Sequence, residues 1–171
     1  MAVWWLATSK NEGHCSYLEL KYRKIVAQGW PDIGDISALL PVRMKDESAF
    51  IAMINDLVTY VYNGWNDSRN PGRVINNLLK ISKGDFVLCT EGECLRGIAR
   101  MHQNPNYRYD NGAGYFEYAQ TVYPVTEWKE WDSDIVGEQP AIKAMGPVGI
   151  NHYNADEEVI IAAWDKLPPS D

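Results

Sequence analysis

Long apolar runs are missing from this chain. No stretch approaches the roughly 20 residues that span a bilayer, and no secretory-type leader is read at its start. A cytoplasmic protein without a membrane partner is therefore expected. Cysteine is scarce and odd in number: Cys15, Cys89 and Cys94 share no two-residue spacing, which argues against a disulfide framework and a zinc site. Cys89 and Cys94 flank a Glu-Gly-Glu turn and are candidates to face each other across a hairpin, as reduced thiols. Runs of Lys and Arg are absent, and no phosphate loop or dinucleotide fingerprint occurs; the glycines at 112 and 114 do not follow that spacing. With three histidines in the chain, a thiol catalytic pair would need His102 or His152 to reach Cys15, because the adjacent His14 rarely faces its neighbour. The acid pairs Glu127/Glu130 and Asp132/Asp134 read as a charged surface before a cation or acid–base site. No enzyme, metal or cofactor is expected.

What the chain does hold is large aromatics: seven Trp and ten Tyr against three Phe. Trp and Tyr join flat apolar area to a polar handle and favour half-buried recognition surfaces. At 171 residues and 46% apolar content the chain fits one domain with a real core. The net charge of −7 is unevenly spread. Residues 109–171 hold 12 of the 23 acids and three of the 16 bases, a net −9 that leaves residues 1–108 at +2. A nucleic-acid face in the first two-thirds is compatible with that balance, whereas a general polyanion binder is not.

Along the chain, Val3 to Thr8 reads as a buried central strand. A short helix is expected from Cys15 to Lys24 with Tyr17, Leu18 and Tyr22 on one face. Ile25 to Trp30 reads as a second strand, ended by the turn chemistry of Pro31-Asp32-Ile33-Gly34-Asp35. The clearest helix starts at the acids Asp46 and Glu47. Phe50, Ile51, Ile54, Leu57, Val58 and Val61 give it one stripe, and Asn63-Gly64 ends it. A second helix is expected over Arg73 to Leu79. Phe86 to Thr90 and Leu95 to Met101 read as a hairpin around Glu91-Gly92-Glu93. Residues 103–114 and Trp128 to Asp134 read as loops, Tyr115 to Val125 as one strand or a strand with a bulge, Ala141 to Met145 as a short strand, and Glu157 to Leu167 as a helix. The sum is α+β: a small, curved sheet or barrel flanked by helices. The expected organisation is a single domain, core about 3–131, with an acidic C-terminal extension over 132–171.

Three groups of residues then fall in a telling order. Trp4-Trp5-Leu6-Ala7-Thr8-Ser9-Lys10-Asn11-Glu12 opens the chain. Trp65-Asn66-Asp67-Ser68-Arg69-Asn70, Asn76-Asn77-Leu78 and Gly84-Asp85 follow, and Leu95-Arg96-Gly97-Ile98-Ala99-Arg100-Met101 comes next. This order resembles the EVE domains of the PUA-like superfamily, which also includes the YTH domains, over roughly residues 3–131. The stretch Trp30 to Ser37 and the long helix after it are unlike a compact EVE domain. They look more like N-terminal recognition domains of modification-dependent restriction systems.

The resemblance implies a PUA-like, EVE-type barrel that binds nucleic acid and reads a modified base, foremost a methylated or hydroxymethylated base in DNA. Such a domain is non-catalytic, flips the base into an aromatic pocket, and works with a nuclease or NTPase that is fused to it or associated. Unstacking a base costs a few kcal/mol, and an aromatic sandwich returns about 1–3 kcal/mol per base. Trp30 stands where YTH-like domains carry a cage Trp; alternatively it plugs the barrel end. Trp65 stacks on the ligand or packs under its loop. Ser9, Asn11, Asp35 and Ser37 are candidate base-edge groups, with ordinary turn and cap roles as the alternative. A second cage aromatic is expected from among Tyr107, Tyr109, Tyr115 and Phe116; Tyr109 and Tyr115 are taken as the pocket candidates. Lys10, Arg69 and Arg73 are the candidate nucleic-acid backbone contacts. Two other readings stand beside this one: a reader of modified RNA, and a protein or small-molecule interaction module that uses the barrel mouth.

Overall fold

The computed structural model describes residues 1–8, 17–63, 70–110, 118–142 and 149–169. The fold is α+β. Strands β1 (Val3–Thr8), β3 (Phe86–Glu91), β4 (Cys94–Arg100), β7 (Glu127–Glu130) and β8 (Gly149–His152) form one mixed sheet in the order β7-β4-β3-β1-β8. Strands β2 (Val26–Gln28), β5 (Asn106–Tyr109) and β6 (Gln120–Tyr123) form a second sheet, ordered β2-β6-β5. Among the described residues no strand pairing joins the two into a closed barrel. They share a hydrophobic cluster instead, to which the larger sheet gives Trp4, Leu6, Val87 and Ala99 and the smaller gives Val26, Ala27 and Val122.

β1 is apolar almost throughout because both of its faces are covered, the usual reason for an unbroken apolar strand. Trp4 and Leu6 enter the shared cluster. Val3, with Phe86 and Leu88, packs on the other face against Ile160, Ala163 and Trp164 of helix α6 (Glu157–Lys166). β1 runs parallel to β3, Val3 opposite Phe86, and antiparallel to β8, Leu6 opposite Ile150. Asp85 ties this corner together. Its carboxylate accepts from the Ala2 N–H at 2.8 Å, the Trp4 indole at 3.0 Å, the Ser82 N–H at 3.1 Å and the Ser82 hydroxyl at 3.2 Å. The opening Trp and the Gly-Asp pair thus meet as one structural joint. Gly97 in β4 has a steric reason too: a Cβ there would stand 2.5 Å from the Tyr17 hydroxyl oxygen.

The long helix α3 (Glu47–Val61) starts as read: Asp46 Oδ1 accepts from the Ala49 N–H at 2.9 Å, a cap of about 1 kcal/mol. Phe50, Ile54 and Val58 are its buried stripe, and burying each contributes about 2 kcal/mol. After it, Asn63 takes the left-handed backbone at φ 56°. Helix α4 (Pro71–Leu78) begins at Asn70, whose side chain accepts from the Arg73 N–H at 3.1 Å. Gly72 lies so close to α3 that a Cβ would collide with the Ile51 carbonyl.

Several expectations need correction. Helix α1 (Tyr17–Arg23) buries Tyr17 and Leu20, while Leu18 and Tyr22 are exposed. The run from Ile25 keeps only three residues as strand β2, because Trp30 turns left-handed at φ 61°. Residues 37–45, to which no element had been assigned, are helical, a 3₁₀ turn at Ser37–Leu39 leading into α2 (Leu40–Lys45). The loop expected at 103–114 contains β5, and that at 128–134 contains β7 and the start of α5 (Ser133–Val136). Ala141 and Ile142 form no strand, and 143–145 lie outside the described residues. Cys94 pairs with Glu91 and is exposed, whereas Cys89 lies opposite Gly97 and is buried, so the two thiols do not meet. Burial pushes the Cys89 thiol up to about 12. The 132–171 segment is no appendage: β8 pairs with β1, and α6 closes one face of the larger sheet. Among the described residues no helix is long and apolar enough to cross a membrane.

Candidate functional site

The smaller sheet sets the geometry. Its register puts Tyr109, Gln120 and Gln28 in one row across β5, β6 and β2, with Tyr107, Val122 and Val26 in the next row on the same face. Trp30 to Ser37 is laid over this face by side-chain bonds to its backbone. The Gln120 amide nitrogen donates to the Gly34 carbonyl at 3.0 Å and the Trp30 carbonyl at 3.4 Å. The Tyr109 hydroxyl donates to the Pro31 carbonyl at 2.8 Å. The Tyr107 hydroxyl accepts from the Ile36 N–H at 3.1 Å and donates to Gln120 Oε1 at 2.7 Å. From the α3 side, the Tyr62 hydroxyl accepts from the Asp32 N–H at 3.2 Å. Three tyrosines and one glutamine therefore hold an irregular segment whose sequence, with Pro31 and Gly34, cannot form a regular ladder.

Trp30, Tyr109, Asp35 and Ser37 are brought together here. Trp30 is 6% exposed and belongs to the shared cluster, so it plugs the end of the sheet where an open pocket wall was expected. Its large apolar area is worth more in the core than at a rim. Tyr109 is half-buried, with its hydroxyl spent on Pro31. Asp35 and Ser37 are exposed and bonded to each other. Asp35 Oδ1 accepts from the Ser37 hydroxyl at 2.6 Å and the Ser37 N–H at 2.8 Å. Those bonds, the hydroxyl's first, hold the Asp35 carboxyl below its usual value, so it is an acceptor at neutral pH. Burial raises the Tyr107 phenol well above its ordinary value and keeps it a neutral donor.

Arg73 is exposed in the first turn of α4. Lys80, two turns on, pairs with Glu47 at 2.6 Å, and Arg43 Nε donates to the buried Asn76 Oδ1 at 2.7 Å. Arg73 in α4, Lys80 just past its end and Arg43 bonded to Asn76 bring three positive charges to this helix, beside the one acid Glu47. Arg43 and Lys80 were not singled out in the sequence, because no run marks them. Ser9, Lys10, Asn11, Trp65, Arg69 and Tyr115, with Phe116, lie outside the described residues.

The other candidates resolve into structure. Glu127 lies 3.5 Å from His102, Glu130 pairs with Lys21 at 3.0 Å, and Asp132 caps α5 by accepting from the Asp134 N–H. Among the described residues no group of three or more His, Cys, Asp or Glu is placed to hold a metal ion. Sequence reading missed Gln28 and Gln120 altogether. Both are 0% exposed, and the signal they left was two polar residues inside segments read as strands. Compared with known proteins, the chain matches no family model, no curated protein and no solved structure.

Proposed function

We propose that this chain is a reader of modified nucleic acid: a non-catalytic specificity module of PUA-like, EVE type that accepts a flipped, methylated or hydroxymethylated base of DNA. The barrel of that type would be completed by the two sheets about their shared core. The observation that carries the reading is the face under Trp30–Ser37. It joins aromatic rings (Trp30, Tyr107, Tyr109), amides (Gln28, Gln120) and an ionised acceptor (Asp35) on one patch. Aromatic planes supply stacking, and amides and carboxylates supply edge recognition. Because Trp30 is packed in, base entry requires the Trp30–Ser37 segment to lift and its bonds to Tyr62, Tyr107, Tyr109 and Gln120 to part. The Arg43, Arg73 and Lys80 edge of α4 supplies phosphate contacts. Cleavage or translocation belongs to a partner nuclease or NTPase in the cytoplasm.

The experiment is fluorescence anisotropy against matched oligonucleotides at two salt concentrations. The duplexes are unmodified, 5-methylcytosine, 5-hydroxymethylcytosine and N6-methyladenine DNA, with one methylated RNA beside them. Selective binding to one modified duplex that weakens with salt is the expected result. Preference for the RNA moves the reading to an RNA reader of the same fold. The net −9 over residues 109–171 favours a protein-interaction module as the second reading, and that takes first place when none of the oligonucleotides binds at low salt.

A further inference from the structure

Among the described residues Gln28 stands out with two buried unbonded polar atoms, where the indoles of Trp128 and Trp131 have one each. Gln28 is 0% exposed, and neither Nε2 nor Oε1 has a hydrogen-bond partner. Buried side-chain amides are nearly always bonded, because burial without a partner forfeits hydration for nothing. Gln28 lies directly opposite Gln120, so the two side chains leave the sheet on the same face, and Gln120 spends its amide on the carbonyls of Trp30 and Gly34. Two residues beyond Gln28, Trp30 holds a left-handed backbone at φ 61°, a conformation that residues with a Cβ seldom adopt. An unbonded amide and a strained backbone thus fall within three residues, at the segment that must lift. Such costs persist where they serve a function.

We propose that Gln28 is the edge-reading group of this site: its carbonyl accepts from, and its amide donates to, a nucleobase edge that offers one donor beside one acceptor. This rests on the nucleic-acid reading above. A primary amide is the right group for the task, since one planar unit supplies both a donor and an acceptor and can bind an adenine edge in two places. It lies deep enough that only a base taken out of its stack could meet it. Gln120 is then the fixed neighbour, already bonded, that keeps the segment in register when it closes.

The test compares the wild type with Gln28→Leu and Gln28→Met, on the modified oligonucleotide that the wild type binds most tightly. Expected is binding weaker by about tenfold or more in both variants, with a thermal midpoint equal to or above that of the wild type, because an unbonded amide has been replaced by apolar volume. Wild-type affinity in either folded variant overturns the proposal and leaves Gln28 as a site for a buried water only. Met, unbranched and close in length to Gln, carries the test when Leu does not fold. Failure of both to fold overturns it as well, since the amide would then be supporting the fold. The two ideas fail differently: a wild type that binds none of the oligonucleotides sinks the nucleic-acid reading along with the inference, whereas unchanged binding by the variants sinks the inference alone.

Discussion

Asp85 in the larger sheet and Gln28 in the smaller one are both polar and both buried, at 3% and 0% exposure. Their surroundings differ completely. Four donors from Ala2, Trp4 and Ser82 converge on the Asp85 carboxylate; the side-chain amide of Gln28 has no bond. A buried polar group with every partner in place fixes the geometry around it, and one without partners costs stability while it waits. The Asp85 corner therefore reads as finished scaffold. The Gln28 face reads as the part of the molecule left incomplete for something else to complete.

The largest effect is expected at Asp85. Asp85→Ala strands four donors, two of them at the start of β1, and is expected to lower stability in urea by about 3 kcal/mol or more; an unmoved midpoint would mean the corner is not a scaffold. Gln120→Leu comes next. It removes the donor to the Gly34 and Trp30 carbonyls and the acceptor of the Tyr107 hydroxyl proton, for an expected loss of about 1–3 kcal/mol. Gln28→Leu, directly across the strand, has the opposite expected sign: a gain of about 1 kcal/mol in the same denaturation series. Equal losses at 28 and 120 would erase the distinction between the two glutamines.

Smaller effects sharpen the rim. The Asp35 carboxyl is held below its ordinary 3.8, chiefly by the Ser37 hydroxyl and then by the Ser37 N–H. A depressed carboxyl favours the folded state above its unfolded value, and the advantage fades as pH falls through the folded one. Ser37→Ala should therefore move the Asp35 titration, followed by NMR, upward toward 3.8. The smallest expected effect is at the exposed Lys80–Glu47 pair, where Lys80→Ala changes stability by about 0–0.5 kcal/mol. A distinct salt dependence of oligonucleotide binding in Arg73→Ala and Lys80→Ala is what would tie this edge to phosphates.

Much of the scaffold was legible because its signals are local. β1 shows its two covered faces as an unbroken apolar run, α3 carries a capping Asp46 ahead of the stripe Phe50, Ile54 and Val58, and Glu91-Gly92-Glu93 sits between two strands of the right composition. β5, β7 and β8 were not legible. Each is four residues long; Asn106–Tyr109 alternates with polar residues that face solvent, and Glu127–Glu130 buries a lysine beside its one tryptophan; pairing with β6, β4 and β1 makes them strands. Trp30, Asp35 and Ser37 were singled out beside the Pro-Gly turn and Tyr109 through the resemblance; in the fold, Tyr109 of β5 is bonded to the segment that holds the other three. The burial of Trp30 and the bondless state of Gln28 are tertiary facts. A glutamine that is satisfied and one that is not look alike in a sequence.

The most direct measurement is a titration of ¹⁵N-labelled protein with N6-methyladenine and 5-methylcytosine duplexes, following three side-chain signals by NMR. The Gln28 amide protons are expected to shift strongly and gain protection with one modified duplex, while the Trp4 indole proton, bonded to Asp85, stays where it is. Binding that leaves the Gln28 signals unmoved and perturbs the Asp85 corner instead would contradict that expectation.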